Sequence, residues 1–105
     1  MNNMNELLTI HPGEHLKDEL EALGMSQNKL ALELRIPAAR VSEIINGKRG
    51  ITADTAVRLG RFFNTSVELW LNLQSAYDTR IAIRKLTADG ELEKIHPIKP
   101  TPARV

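Results

Sequence analysis

Residues Gln27 to Asn46, QNKLALELRIPAARVSEIIN, set small Ala31 four positions before Arg35, with Val41 six further on and Ile44 three beyond that. This spacing predicts two short helices meeting at a sharp turn. Ala31 lets the two backbones approach, while Leu30, Leu34, Val41, Ile44 and Ile45 fill the angle between them. The pattern is that of a helix-turn-helix. The second helix, Ala38 to Asn46, would then turn Ala38, Ala39, Arg40, Ser42, Glu43 and Asn46 outward, short or polar groups that fit a DNA major groove. Arg35 stands where glycine is common in such turns. If the turn needs a left-handed residue there, the side chain costs about 1 kcal/mol; otherwise the turn is built differently.

The flanking sequence supplies further helices and no strand pattern. Pro12 opens the first helix, Glu14 lies near its positive end, and Leu16, Leu20 and Leu23 form an apolar stripe that ends at Gly24. Ser26 caps the second helix, Gln27 to Leu34, and the Gln27 and Asn28 side chains beside its free amides are placed for a backbone phosphate. Pro37 opens the third helix and Gly47 closes it. Lys48, Arg49 and Gly50 form a basic link whose cations suit phosphates flanking the groove, or simply solvent. Thr52 caps a fourth helix, Ala53 to Phe63, with Ala56, Leu59, Gly60 and Phe63 inward and Asn64 at its end. Ser66 caps the longest helix, Val67 to about Leu86, with Leu69, Trp70, Leu73, Tyr77 and Ile81 as its apolar band. Trp70 is placed in the core. The second half, AYDTRIAIRKL, extends past what a compact five-helix unit covers, so Tyr77, Ile81 and Ile83 are candidates for contact with a second copy.

These elements make an all-α chain of five helices, with a helix-turn-helix domain over 11–86. A polar arm, 1–10, precedes it, with Leu7, Leu8 and Ile10 able to anchor it. A flexible tail, 87–105, follows, in which Pro97, Pro100 and Pro102 oppose helix. At 105 residues the chain suits one small domain without room for a large internal active site. It has no cysteine, hence no disulfide or thiolate metal site. Its apolar runs are too short to span a bilayer and its first residues do not resemble a signal peptide, so a cytoplasmic protein is the default expectation.

The net charge of +1 is unevenly distributed. Met1 to Gly24 holds five acids (Glu6, Glu14, Asp18, Glu19, Glu21) against Lys17, a balance of −4. Arg35 to Arg61 holds six bases (Arg35, Arg40, Lys48, Arg49, Arg58, Arg61) against Glu43 and Asp54, a balance of +4. The positive stretch coincides with the proposed reading helix, and attraction to phosphate follows the local field. His11, Glu14 and His15 spell H-x-x-E-H, a spacing some zinc peptidases use, but Pro12 and Gly13 put His11 before the helix, so no metal is expected. There is no Gly-rich phosphate loop followed by lysine, and no nucleophile paired with a base. The chain is therefore not expected to be an enzyme, and needs no cofactor.

The twenty-residue core resembles the helix-turn-helix of phage-repressor-like, XRE-type regulators. Three further stretches, HPGEHLKDEL at His11 to Leu20, NGKRGITADTAVRLGRFF at Asn46 to Phe63 and ELWLNLQSAYDTR at Glu68 to Arg80, are similar to HigA-type (VapI-like) antitoxins of bacterial toxin-antitoxin operons. The resemblance spans about residues 10 to 82; Arg35 departs from it, and the tail after Leu86 matches nothing in it. It implies a homodimer that represses its own operon by binding operator DNA and neutralises a toxin ribonuclease by direct contact. A stand-alone repressor without a toxin is the alternative. By position, Gln27, Asn28, Ala38, Ala39, Arg40, Ser42, Glu43, Asn46, Lys48 and Arg49 are the DNA-binding candidates. Two copies related by a two-fold would read half-sites about 34 to 36 Å apart.

Overall fold

The computed structural model describes residues 10–99, among which five α-helices and one short 3₁₀ turn are found and no strand. Local chemistry accounts for nearly every helix end. In α1 (Pro12–Leu23) proline occupies the first turn, where its missing N–H costs nothing, and Gly24 closes the helix at φ 63°. The N-cap is His11, whose Nδ1 accepts a hydrogen bond from the Gly13 N–H at 2.9 Å. Ser26 caps α2 (Gln27–Leu34) by accepting from the Lys29 N–H at 3.0 Å. Thr52 does the same for α4 (Ala53–Phe63), and Ser66 for α5 (Val67–Ala88). Pro37 begins α3 (Ala38–Ile45) without a side-chain cap. Asn64 ends α4 in the left-handed region at φ 58°. The turn after α2 is built on a left-handed Arg35, φ 60°, with the Ile36 N–H closing back on the Ala31 carbonyl. The strained alternative anticipated for that position is the one adopted.

Leu16 and Leu20 from α1, Leu30, Ala31 and Leu34 from α2, Val41 and Ile44 from α3, Leu59 from α4 and Trp70 from α5 form one continuous core. Helix α2 packs on α3 and α4, α1 packs on α3 and α5, and α4 packs along α5. The Trp70 indole N–H, buried with its ring, donates to Thr65 Oγ1 at 3.0 Å. Two leucines expected inside lie outside. Leu23 is 55% exposed because the last turn of α1 runs beyond the elements that cover Leu16 and Leu20. Leu69, 42% exposed, stands one residue off an inner face centred on Trp70. Phe63 is only partly buried.

The long helix runs to Ala88, two residues beyond the expected end, and the 3₁₀ turn at Leu92–Lys94 packs back on it. No helix of the described residues is long and apolar enough to cross a membrane. The expectations for Leu7 and Leu8 in the arm and for Pro100 and Pro102 in the tail fall outside the described residues.

The tightest approach is between α1 and α3. A Cβ placed on Gly13 would stand 1.9 Å from the Ile44 carbonyl oxygen and 3.0 Å from the Ile45 Cα, both backbone atoms. Gly13→Ala must therefore push the two helices apart, and the loss should be about 2 to 3 kcal/mol in urea denaturation despite alanine's better helix propensity. The cap on the same turn predicts a pH effect. Burial lowers the His11 pKa from its ordinary value, against the raising influence of Asp78 and Glu14. The neutral ring is also the form whose Nδ1 accepts the Gly13 N–H. The cap's contribution is thus complete above the ordinary histidine range and is lost as pH falls through the lowered folded value, because the unfolded chain takes up the proton first. Between pH 7.5 and 5, the wild-type urea midpoint should fall more than that of His11→Asn, which caps without titrating there.

Candidate nucleic-acid interface

Helix α3 divides its residues between two environments. Val41, Ile44 and Ile45 are buried, whereas Ala38, Ala39 and Asn46 are exposed and Arg40, Ser42 and Glu43 lie at the boundary. The buried three fix the helix against α1 and α2, which leaves the two alanines and Asn46 outward at its ends. Gln27 and Asn28 are exposed at the start of α2, beside the Ser26 cap. Lys48 and Arg49 are exposed on the link after α3, where Gly47 takes φ 75° and the Lys48 N–H donates to the Glu43 carbonyl at 2.8 Å. The ten residues singled out from the sequence thus occur on the start of α2, on α3 and on the link that follows it.

Their mutual contacts were not anticipated. Arg49 Nε donates to Glu43 Oε1 at 2.7 Å, so these two answer each other in the free chain. Both are about half exposed, and a pair of that kind contributes about 0 to 1 kcal/mol, so a ligand separates it at little cost. Asn46 Nδ2 donates to Ser42 Oγ at 3.3 Å. Arg40 lies with its guanidinium 4.0 Å from Asp54 Oδ1, at the start of α4.

Arg40 thereby borders a cleft of about 350 Å³ between the Arg35 turn, the start of α3 and the start of α4. Arg35, Arg49 and Arg58 also line it, and Asp54 is its one carboxylate. Arg58 bridges two elements, with Nε on Asp54 Oδ1 at 2.7 Å and Nη1 on the Leu34 carbonyl at 2.9 Å. The hydrogen bond from Arg58 holds the Asp54 carboxyl below its ordinary range, helped by the charges of Arg58 and Arg40. Arg35, Asp54 and Arg58 were not among the site candidates; the cluster of bases between 35 and 61 was the only trace of them in the sequence.

The link is fastened from behind by Gln74 of α5, a residue the sequence did not single out. Its Oε1 accepts the Ile51 N–H at 2.7 Å and its Nε2 donates to Asp78 at 2.9 Å. Gly50 leaves just enough room, since a Cβ there would stand 3.0 Å from the Gln74 amide. Among the dimer candidates, Tyr77 is engaged within its own chain, edge-on to His11 with ring centroids 4.9 Å apart. Ile81 and Ile83 are exposed, but two positions apart on a helix they point about 160° from one another and cannot share one flat contact. Among the described residues no three His, Cys, Asp or Glu side chains are gathered as a metal site would need, and the Nδ1 of His11 is already taken by the Gly13 N–H.

The helix-turn-helix family model matches residues 16–70. Virulence-associated protein I of Dichelobacter nodosus is 48% identical over 79 residues, covering 74% of this chain and 73% of that protein. The structure of an addiction module antidote protein of a HigA family from Coxiella burnetii shares 51% identity at a TM-score of 0.80, covering 85% of this chain and 97% of that one. Pseudomonas aeruginosa antitoxin HigA, solved with the higBA promoter, shares 42% identity at a TM-score of 0.81, over 87% of this chain and 99% of that one.

Removing the rear fastening isolates its contribution. Gln74→Ala leaves the buried Ile51 N–H without its acceptor, so stability should drop by about 1 to 3 kcal/mol. Amide exchange at Ile51 should accelerate well beyond what global destabilisation explains, while exchange within α2 follows the global change.

Proposed function

The chain belongs to the helix-turn-helix family, among its HigA-like antitoxin members, and from that premise we propose that it is a repressor and an antitoxin in one molecule. As a homodimer it binds operator DNA ahead of its own operon, and by direct contact it holds a cognate toxin ribonuclease inactive in the cytoplasm. The observation that supports the DNA half most directly is the face of α3 left by the burial of Val41, Ile44 and Ile45. Ala38, Ala39 and Asn46 are exposed, as are Lys48 and Arg49 on the link that follows and Gln27 and Asn28 at the start of α2. A helix presented this way enters a major groove with small side chains near the bases and amides and cations near the backbones.

Within this reading the roles divide by reach. Ala38 and Ala39 offer methyl groups to thymine, and Ser42 and Asn46 offer donors and acceptors to base edges. Glu43 reaches a cytosine amino group once Arg49 transfers from it to a phosphate. Arg40, drawn toward the start of α4, is placed for the backbone more than for a base. The toxin half rests on kinship with HigA antitoxins. Nothing in the described residues suggests chemistry that would modify a toxin, so neutralisation is by occlusion.

Two measurements test the halves separately. Arg40→Ala should weaken binding to the duplex upstream of the chain's own reading frame and make log affinity about 0.9 less steep in log salt, the value of one backbone contact; unchanged binding at physiological salt would remove α3 from the interface. Co-expression with the adjacent reading frame should yield a stable complex that suppresses ribonuclease activity. Two independently purifying proteins would leave the alternative, a stand-alone repressor.

A further inference from the structure

The cleft that Arg40 borders contains a mismatch of charge. Four arginines, Arg35, Arg40, Arg49 and Arg58, line it against the single carboxylate of Asp54. Arg49 is satisfied by Glu43, and Asp54 is divided between Arg58 at 2.7 Å and Arg40 at 4.0 Å. Arg35 makes no ion pair among the described residues. It is also the residue held at φ 60° in the turn, where glycine would be free of strain. An arginine kept at a strained backbone position, bordering an anion-poor cleft and making no ion pair among the described residues, points to an anionic ligand.

The cleft fits one kind of ligand. Its volume of about 350 Å³ takes a tetrahedral oxyanion with several waters, each of which occupies about 30 Å³ in the liquid. Arg58 is already oriented, since its Nη1 donates to the Leu34 carbonyl while its Nε donates to Asp54. Asp54 is 58% exposed, so it can turn out to solvent when another anion arrives. The cleft lies beside Pro37 and Arg40, at the start of the helix assigned to the groove, and helix starts are a recurring place for backbone phosphate contacts.

We propose that this cleft seats one backbone phosphate of the operator, held by Arg35 and Arg58, and that Asp54 is its internal stand-in, occupying the arginines in the free chain and displaced on binding. The inference rests on the DNA-binding reading above and adds two things to it. Arg35 is a phosphate ligand, and Asp54 is a built-in competitor that lowers affinity for every sequence alike. Because the contact is to backbone, it leaves sequence preference untouched.

Fluorescence anisotropy across a salt series decides it, with two duplexes of equal length: the region upstream of the chain's own reading frame, and a scrambled version of it. Arg35→Gly should bind both duplexes about tenfold more weakly at 0.15 M salt and lose about 0.9 from the log–log salt slope. It should melt at the wild-type temperature or higher, because glycine relieves the turn. Asp54→Asn, which keeps the shape and the Thr52 cap, should bind both about threefold more tightly, since one repulsive charge beside the phosphate is gone. If Arg35→Gly keeps wild-type affinity and slope, or Asp54→Asn binds no more tightly than wild type, the phosphate seat is wrong while the operator reading survives. If the wild-type chain binds neither duplex, the operator reading falls and the seat with it.

Discussion

An eight-residue helix in water is not stable by itself, since isolated helices shorter than about 12 to 15 residues are marginal even with favourable sequences. Helix α3 has eight, begins at a proline without a side-chain cap, and carries valine and isoleucine, which are weaker helix formers than alanine or leucine. It exists because Val41, Ile44 and Ile45 are removed from water by α1 and α2, at roughly 1.5 to 3 kcal/mol for each side chain fully buried. The orientation of the exposed face follows from the same burial. Its outward residues have no independent means of holding their positions, so the precision of the surface is that of the core behind it. The contact between Gly13 and the Ile44 backbone sets the depth at which α3 lies.

The polar contacts on that surface are of another kind. The pairs Glu43–Arg49, Asp54–Arg58 and Lys29–Glu33 join side chains that are each more than a third exposed, and so contribute little to stability. What they supply is order. Long cations that would otherwise sample many rotamers are gathered near the start of α4 and along the link after α3. A backbone anion then meets side chains that have already lost part of their freedom, at the cost of displacing carboxylates that are themselves readily solvated. Arg58 is the exception, because the Leu34 carbonyl keeps hold of it when Asp54 moves.

Helix ends were the most legible feature of this sequence, because each is decided within three or four residues. Ser26, Thr52 and Ser66 act as N-caps and Gly24 and Asn64 as left-handed ends where their chemistry alone indicates. The seam of α2 and α3 was legible for a related reason, as its periodicity is local. Pairing was not. Arg49 reaches Glu43 around a turn that the sequence does not describe, and Arg40 meets Asp54 across the gap between two helices. Exposure at helix ends was also hidden, since Leu23 belongs to the apolar stripe by spacing and is left out only because no neighbour extends that far. Arg35 lies between these cases. Its position in the turn foretold a left-handed residue or a different turn, and the folded chain adopts the first.

Gln74 explains why α5 resisted the same reading. An apolar band at Leu69, Trp70, Leu73, Tyr77 and Ile81 treats the inner face as hydrophobic, yet beside the packing of Val67, Leu71 and Leu73 the helix is tied by directed contacts from Trp70, Gln74 and Tyr77, at spacings of four and three. Each makes a directed contact: the indole ring against Phe63 of α4, with its N–H on Thr65, the amide to the Ile51 N–H, and the phenol ring to the His11 cap of α1. The first half of α5 is thus a spine to which α4, the link and α1 are separately tied. From Ile81 to Asp89 every residue is exposed, and the one ion pair the helix makes there among the described residues, Lys85 to Asp89, is worth about 0.3 to 0.5 kcal/mol. The 3₁₀ turn at Leu92–Lys94 packs back on this end, but with every side chain from Ile81 to Asp89 exposed it opens more readily than the fastened half. Ile83 and Leu86, three positions apart on one face, place apolar surface on that end, and burying it against a second copy would order the helix without moving α3, because the three ties lie between them. Dimerisation through this segment would therefore set the spacing of two reading helices while leaving the face of each one unchanged.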